Sequence, residues 1–170
     1  MATATINYSS DTAITFDLSS LGTSSTFVAG RESTEVDNTT NKYIDAIVFV
    51  KGITGHASTA PTIGQSIALY AWGSTVSLGT TAIDVLDGTD SAETLGHVSV
   101  LNSLRLAGTA VVTVATAALS YYIQPFSVAQ LFGGVLPPYW GLYVFHNHTG
   151  ALGASNNSLF SYRGIKYDVA

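Results

Sequence analysis

The run Leu136-Pro137-Pro138-Tyr139-Trp140-Gly141-Leu142-Tyr143-Val144-Phe145-His146-Asn147-His148-Thr149 dictates the architecture of this chain. Its two prolines each pin φ near about −65° and remove a backbone donor, so no helix passes through them. Beyond them the side chains alternate. Trp140, Leu142 and Val144 fall on one side of an extended chain, and Tyr143 and Phe145 on the other. Both sides are apolar, which predicts a strand buried between two layers. The run ends at Asn147-His148-Thr149-Gly150, which is turn chemistry. The fold is expected to be built around this strand.

Working outward, Tyr43 to Val50 is the most β-prone run. Ile44, Ala46, Val48 and Val50 form its core face. The other face is interrupted by Asp45, costly to bury without a partner. Further strands are expected over Ser24–Glu35, with Phe27 and Ala29 inward, over Ser66–Trp72, over His97–Leu106 with Val98 and Val100 inward, and over Ala110–Thr116. Gly30 marks a bulge or the close approach of another backbone. A last strand runs from Ser158 to Asp168, where Leu159, Ser161 and Arg163 alternate with Phe160, Tyr162 and Gly164. Ser127 to Leu131 makes one helical turn, with Ser127 as N-cap and Gly133-Gly134 as its stop. Gly73 to Gly96 is long and weakly patterned, and is expected to cover a surface or contact a partner.

These features predict an all-β chain: an antiparallel sandwich of about eight strands with little helix, a jelly roll in first place. Periodicity does not separate that topology from an immunoglobulin-like sandwich. Residues 23–170 read as one β-sandwich domain. Residues 1–22 read either as its first hairpin or as an extended arm that pairs with a neighbouring chain. Ile6, Tyr8, Phe16 and Leu18, spaced in twos, are the interface residues of the second reading.

Composition narrows the function. Charged residues make up 10% of the 170 positions, against about 25% in an ordinary soluble domain. Such a weakly charged, Thr-rich chain suits a domain that lies against other protein. The net charge is −5 and the six basic residues are scattered, which argues against nucleic acid as a partner. No apolar stretch approaches the roughly 20 residues of a membrane helix. Met1-Ala2-Thr3-Ala4-Thr5 has neither a basic nor an apolar region, so no secretory signal is expected. Without cysteine there is no disulfide framework and no thiolate metal site.

His146 and His148 share one face of a strand, a spacing that can hold a metal if His56 or His97 joins them; the plainer reading is two solvent-facing histidines at a strand end. Asp84, Asp87, Asp90 and Glu93 recur every third residue across a loop. They read as a hard-cation site or as a solvated acidic loop. Trp72, Trp140 and the nine tyrosines can line a sugar-binding face or pack in core and interface. No nucleophile elbow, phosphate-binding loop or marked acid–base pair is present, so neither enzymatic activity nor a cofactor is expected.

Two segments carry a resemblance. One runs from Phe27 through Ala29-Gly30-Arg31-Glu32 to Asp45, the other from Pro125 through Pro137-Pro138-Tyr139-Trp140 to Gly150. Together they resemble small virion structural proteins of tailed bacteriophages, a group of jelly-roll decoration, or cement, proteins on the outside of the capsid. The resemblance covers most of residues 25–168 and transfers no catalytic residue. It implies a non-enzymatic protein, homotrimeric, assembled in the host cytoplasm, that binds and stabilises the major capsid protein lattice. The alternatives are a virion module that binds carbohydrate or a host receptor, and a tail or neck component.

Overall fold

The protein, seen in a computed structural model that describes residues 4–169, is an all-β sandwich of antiparallel strands. Along the chain come β1 (Ala4–Tyr8), β2 (Thr12–Ala13), β3 (Ala29–Glu32), β4 (Val36–Asp37), β5 (Asp45–Val50), β6 (Ile53–Thr54) and β7 (Ser66–Ser74). There follow β8 (Ser91–Thr94), a 3-10 helix (Val98–Ser103), β9 (Arg105–Val111), β10 (Ser120–Tyr121), β11 (Phe126–Ser127), the single-turn helix α1 (Val128–Leu131), β12 (Tyr139–His146) and β13 (Phe160–Val169). The first sheet has the order β1-β13-β5-β11, with β2 also on β13. The second has the order β8-β3-β12-β7-β9, with β4 also on β12, and β6 and β10 form a small separate ribbon.

β12 is the centre of the second sheet, as its apolar run predicts. It pairs with β7 from Tyr139↔Ser74 to His146↔Ile67, and its other edge pairs with β3 and β4. Trp140, Leu142 and Val144 face the first sheet and pack with Ala46, Val48, Phe160 and Tyr162. Tyr143 and Phe145 face the other way, into a second apolar cluster with Trp72. The segment between β7 and β9 supplies the lid of that cluster through Leu78, Leu86, Leu95 and Leu104. Each leucine contributes about 1.5–3 kcal/mol by leaving water, enough to hold down a loop with little regular structure.

Polar staples add direction to that burial. The Glu32 carboxylate accepts from the Asp87 and Gly88 amides at 2.9 and 3.0 Å, and Glu35 accepts from the Leu78 amide at 2.7 Å. Arg31 Nε donates to Asp90 Oδ1 at 2.6 Å. Three residues at one end of β3 and just beyond it therefore anchor the long loop, so the expectation that Gly73–Gly96 covers a surface holds.

Several local expectations hold for the reasons given. Ser127 caps α1, its Oγ accepting from Gln130 N at 3.0 Å, and Gly133 and Gly134 end it at φ 76° and 94°. Asp45 finds its partners there, accepting from Ser127 Oγ at 2.7 Å and Ala129 N at 2.9 Å. Gly30 is a close approach: an added Cβ would press on the Val144 carbonyl and sit 2.6 Å from the Tyr143 ring. Others are corrected. The first long strand is shorter than Ser24–Glu35, because Ser24 Oγ accepts from the Val28 and Ala29 amides and Phe27 turns to φ 60°. Val98–Ser103 is a 3-10 helix capped by His97, since His97 Nδ1 accepts from Ser99 N and Ser103 Oγ donates to Val100 O, local bonds that compete with a ladder. β9 ends at Val111, short of Thr116.

Candidate interaction surface

The N-terminal segment runs along β13, not along the strand that follows it. Tyr8 lies opposite Ile165, and Thr12 opposite Tyr162. Four steps on one strand thus match three on the other, so Ser9-Ser10-Asp11 holds one extra residue. An extra residue reverses which face the later side chains occupy. Before it, Ile6 and Tyr8 stand on the outer face of the first sheet, 55% and 62% exposed. After it, Ile14, Phe16 and Leu18 turn into the core, with Phe16 and Leu18 at 2% and 0%. Phe16 packs against Phe160 with ring centres 4.7 Å apart and the planes tilted by 45°. The four proposed interface residues therefore divide. Ile6 and Tyr8 are exposed, whereas Phe16 and Leu18 are corrected to core residues. The segment up to Leu21 belongs to the sandwich rather than standing apart from residues 23–170.

Pairing places other residues beside Ile6 and Tyr8. Ile6 lies opposite Tyr167, Tyr8 opposite Ile165, Arg163 opposite Ile47 and Ser161 opposite Phe49. Residues directly opposite share a face, so all of these stand on the outer face of the first sheet. Tyr167 is 57% and Phe49 42% exposed. Ile47 and Ile165 of this face are half-buried and Arg163 is exposed, whereas the chain's own loop covers the outer face of the second sheet. Sequence reasoning did not single out the exposed Tyr167 and Phe49, nor Ile47 between them. Ile47 and Phe49 were visible as the non-core side of their strand, but that they share a face with Ile6 depends on a pairing between the two ends of the chain.

β5 accompanies β13 only as far as Ile165, so residues 166–169 pair with β1 alone. The two ends of the described chain form a two-stranded ribbon leaving the body. One face carries Ile6, Tyr8 and Tyr167. The other is polar: the Asn7 amide bonds the Asp168 carboxylate, and Lys166 Nζ lies 3.3 Å from it. Those two partners hold the Asp168 carboxyl below its ordinary range, Asn7 first.

The chemical candidates resolve differently. His146 and His148 are buried, not solvent-facing. His146 Nε2 donates to Leu21 O at 2.8 Å while its Nδ1 accepts from His148 N at 3.2 Å, which selects the neutral Nε2–H tautomer. Burial lowers the His146 pKa, and burial with the neighbouring imidazole brings His148 to about 4. His148 packs edge-on against Tyr121, and neither its Nε2 nor the Tyr121 hydroxyl has a partner. His56 and His97 instead accept from nearby backbone amides. Among the described residues no three His, Asp or Glu side chains gather as metal ligands. In the acidic loop, Asp84 accepts from Gly96 N, Asp87 from Thr89, and Glu93 from Ser91, while Asp90 pairs with Arg31. Each acid already serves the loop's own backbone or a neighbour. Trp72 and Trp140 are both fully buried, so neither presents a flat ring to a sugar.

Comparison of the chain with protein-family models, curated proteins and solved structures returns no match.

Proposed function

We propose that this chain is a non-enzymatic virion structural protein, a decoration or cement protein that attaches to the outside of a bacteriophage capsid and ties major capsid subunits together. The observation that carries this reading is the outer face of the first sheet, where Ile6, Tyr8 and Tyr167 are exposed together and Phe49 is exposed further along the same face. A chain that covers one outer face with its own loop and leaves large apolar side chains exposed on the other has a face suited to another protein. The resemblance of the segments around Arg31 and Trp140 supplies the class of partner. The strand order also supports a jelly-roll reading. With β2, β4, β6, β8 and β10 set aside, the remaining eight strands, numbered in chain order, divide as 1-8-3-6 in one sheet and 2-7-4-5 in the other, the double Greek key pattern.

The mechanism is burial of apolar area, at about 25 cal/mol per Å² before association costs. Repetition over an icosahedral shell multiplies a modest local gain. The test is addition of the purified protein to capsids that lack it, followed by cryo-electron microscopy. Density is expected on the outer surface at lattice junctions. Phe49→Asp and Tyr167→Asp should each lower sub-saturating occupancy by about tenfold, equivalent to ~1.4 kcal/mol, with the thermal midpoint unchanged. Density at the neck or tail, or none, would refute the assignment.

A further inference from the structure

We infer that β1 seats a twofold pairing between two copies of this chain, β1 against β1 antiparallel, so that two first sheets become one. Four strands end the two large sheets, and three are blunted in the ways that keep natural edges from pairing. β11 is two residues long and runs directly into α1, β8 is four residues and carries Glu93, and β9 carries Arg105 and a register shift opposite Leu69–Tyr70. β1, Ala4-Thr5-Ile6-Asn7-Tyr8, has no charge, no proline and no irregularity within its pairing. It also lies in a two-stranded ribbon, and two strands alone are marginal in water.

The backbone phase leaves this edge equipped. Ser9 N–H donates to Gly164 O at 2.8 Å. Antiparallel alternation then turns the backbone groups of Thr5 and Asn7 toward β13 and those of Ala4, Ile6 and Tyr8 outward. The carbonyl of Ile165, opposite Tyr8, accepts from Ile44 on the far side at 2.8 Å, which sets the same phase. The open edge therefore offers the N–H and C=O groups of Ala4, Ile6 and Tyr8.

The side chains are self-complementary about Ile6. Antiparallel pairing there sets Ile6 opposite Ile6 of the second copy, Ala4 opposite Tyr8, and Thr5 opposite Asn7. Small meets large and apolar meets apolar on one face, and polar meets polar on the other. No residue of β1 brings a charge against its like, although the chain as a whole carries −5. β1 leaves the body at Tyr8, so each Tyr8 comes beside the other copy's Ala4. The two bodies then sit at opposite ends of a four-stranded ribbon and do not collide. Each β1 is used once, so the contact closes as a dimer, in place of the trimer that the resemblance implies. The pairing stands whether or not the partner in the virion is a capsid.

Sedimentation equilibrium of the full chain tests it without any capsid, and a reversible dimer is expected. Ile6→Pro removes an outward N–H and no bond to β13, the position at which an edge strand tolerates proline. It should weaken association by about tenfold to a hundredfold, two hydrogen bonds per dimer. Ile6→Lys sets two ammonium groups face to face and should act in the same direction, with circular dichroism unchanged in both. In the wild type, the Ala4, Ile6 and Tyr8 amides should be protected from hydrogen exchange at dimer concentrations and lose protection on dilution. A monomer at every concentration, a trimer, free exchange of those amides at high concentration, or an assembly that neither variant weakens would overturn the inference.

Discussion

Glu32 lies beneath the long loop with no exposed surface, and burial pushes its pKa up to about 8 against the pull of the Asp87 and Gly88 amides. The folded chain thus holds a proton that the unfolded chain releases. This contribution is complete below about pH 4.5 and is lost as pH rises to about 8, at no more than ~1.4 kcal/mol per pH unit. His146 and His148 act with the opposite sign. Both folded pKa values lie below the ordinary 6.5, that of His148 at about 4, so stability is lost as pH falls below 6.5. Two histidines against one glutamate leave a maximum near about pH 6.5. Thermal midpoints measured from pH 4 to 9 should peak there. Glu32→Gln should remove the alkaline decline, and His148→Phe should shrink the acid one. Gly30 is the sharpest steric constraint: Gly30→Ala forces a Cβ onto the Tyr143 ring and Val144 carbonyl, and should cost about 1–3 kcal/mol in urea denaturation.

Among elements, the segment between β7 and β9 behaves as core without looking like it. Leu86 is fully buried in the second apolar cluster, so Leu86→Ala should destabilise by about 2–5 kcal/mol, as a substitution inside a strand would. A value under 1 kcal/mol by chemical denaturation would mean that the loop is not packed as described. α1 rests on one cap. Ser127→Ala removes the bond to Gln130 N and a donor to Asp45, and should cost about 1 kcal/mol.

For the molecule as a whole, the N-terminal segment divides at Ser9-Ser10-Asp11 into an exposed part and a core part. Deleting residues 1–20 would remove Ile14, Phe16 and Leu18 from the core and should abolish folding, with attachment lost for that reason alone. Deleting residues 1–8 should leave a folded sandwich, as judged by near-ultraviolet circular dichroism, that no longer self-associates or decorates capsids normally. A folded protein after the longer deletion would contradict the placement of Phe16 and Leu18.

Alternation and capping, which act between near neighbours in the chain, made much of this protein readable in one dimension. The two-faced apolar run from Trp140 to Phe145, the capped turn at Ser127, the tight position of Gly30 and the alternation of Phe160 and Tyr162 followed from the geometry of a strand or a helix end. Long-range pairing settled the rest. One extra residue between Tyr8 and Thr12 sends two similar pairs, Ile6 with Tyr8 and Phe16 with Leu18, to opposite faces, and it becomes visible only against β13. The same holds for His146 and His148, buried by Leu21 and Tyr121, and for the leucines that cover Trp72. Side-chain chemistry states what a residue can do on either face; the partner strand selects the face.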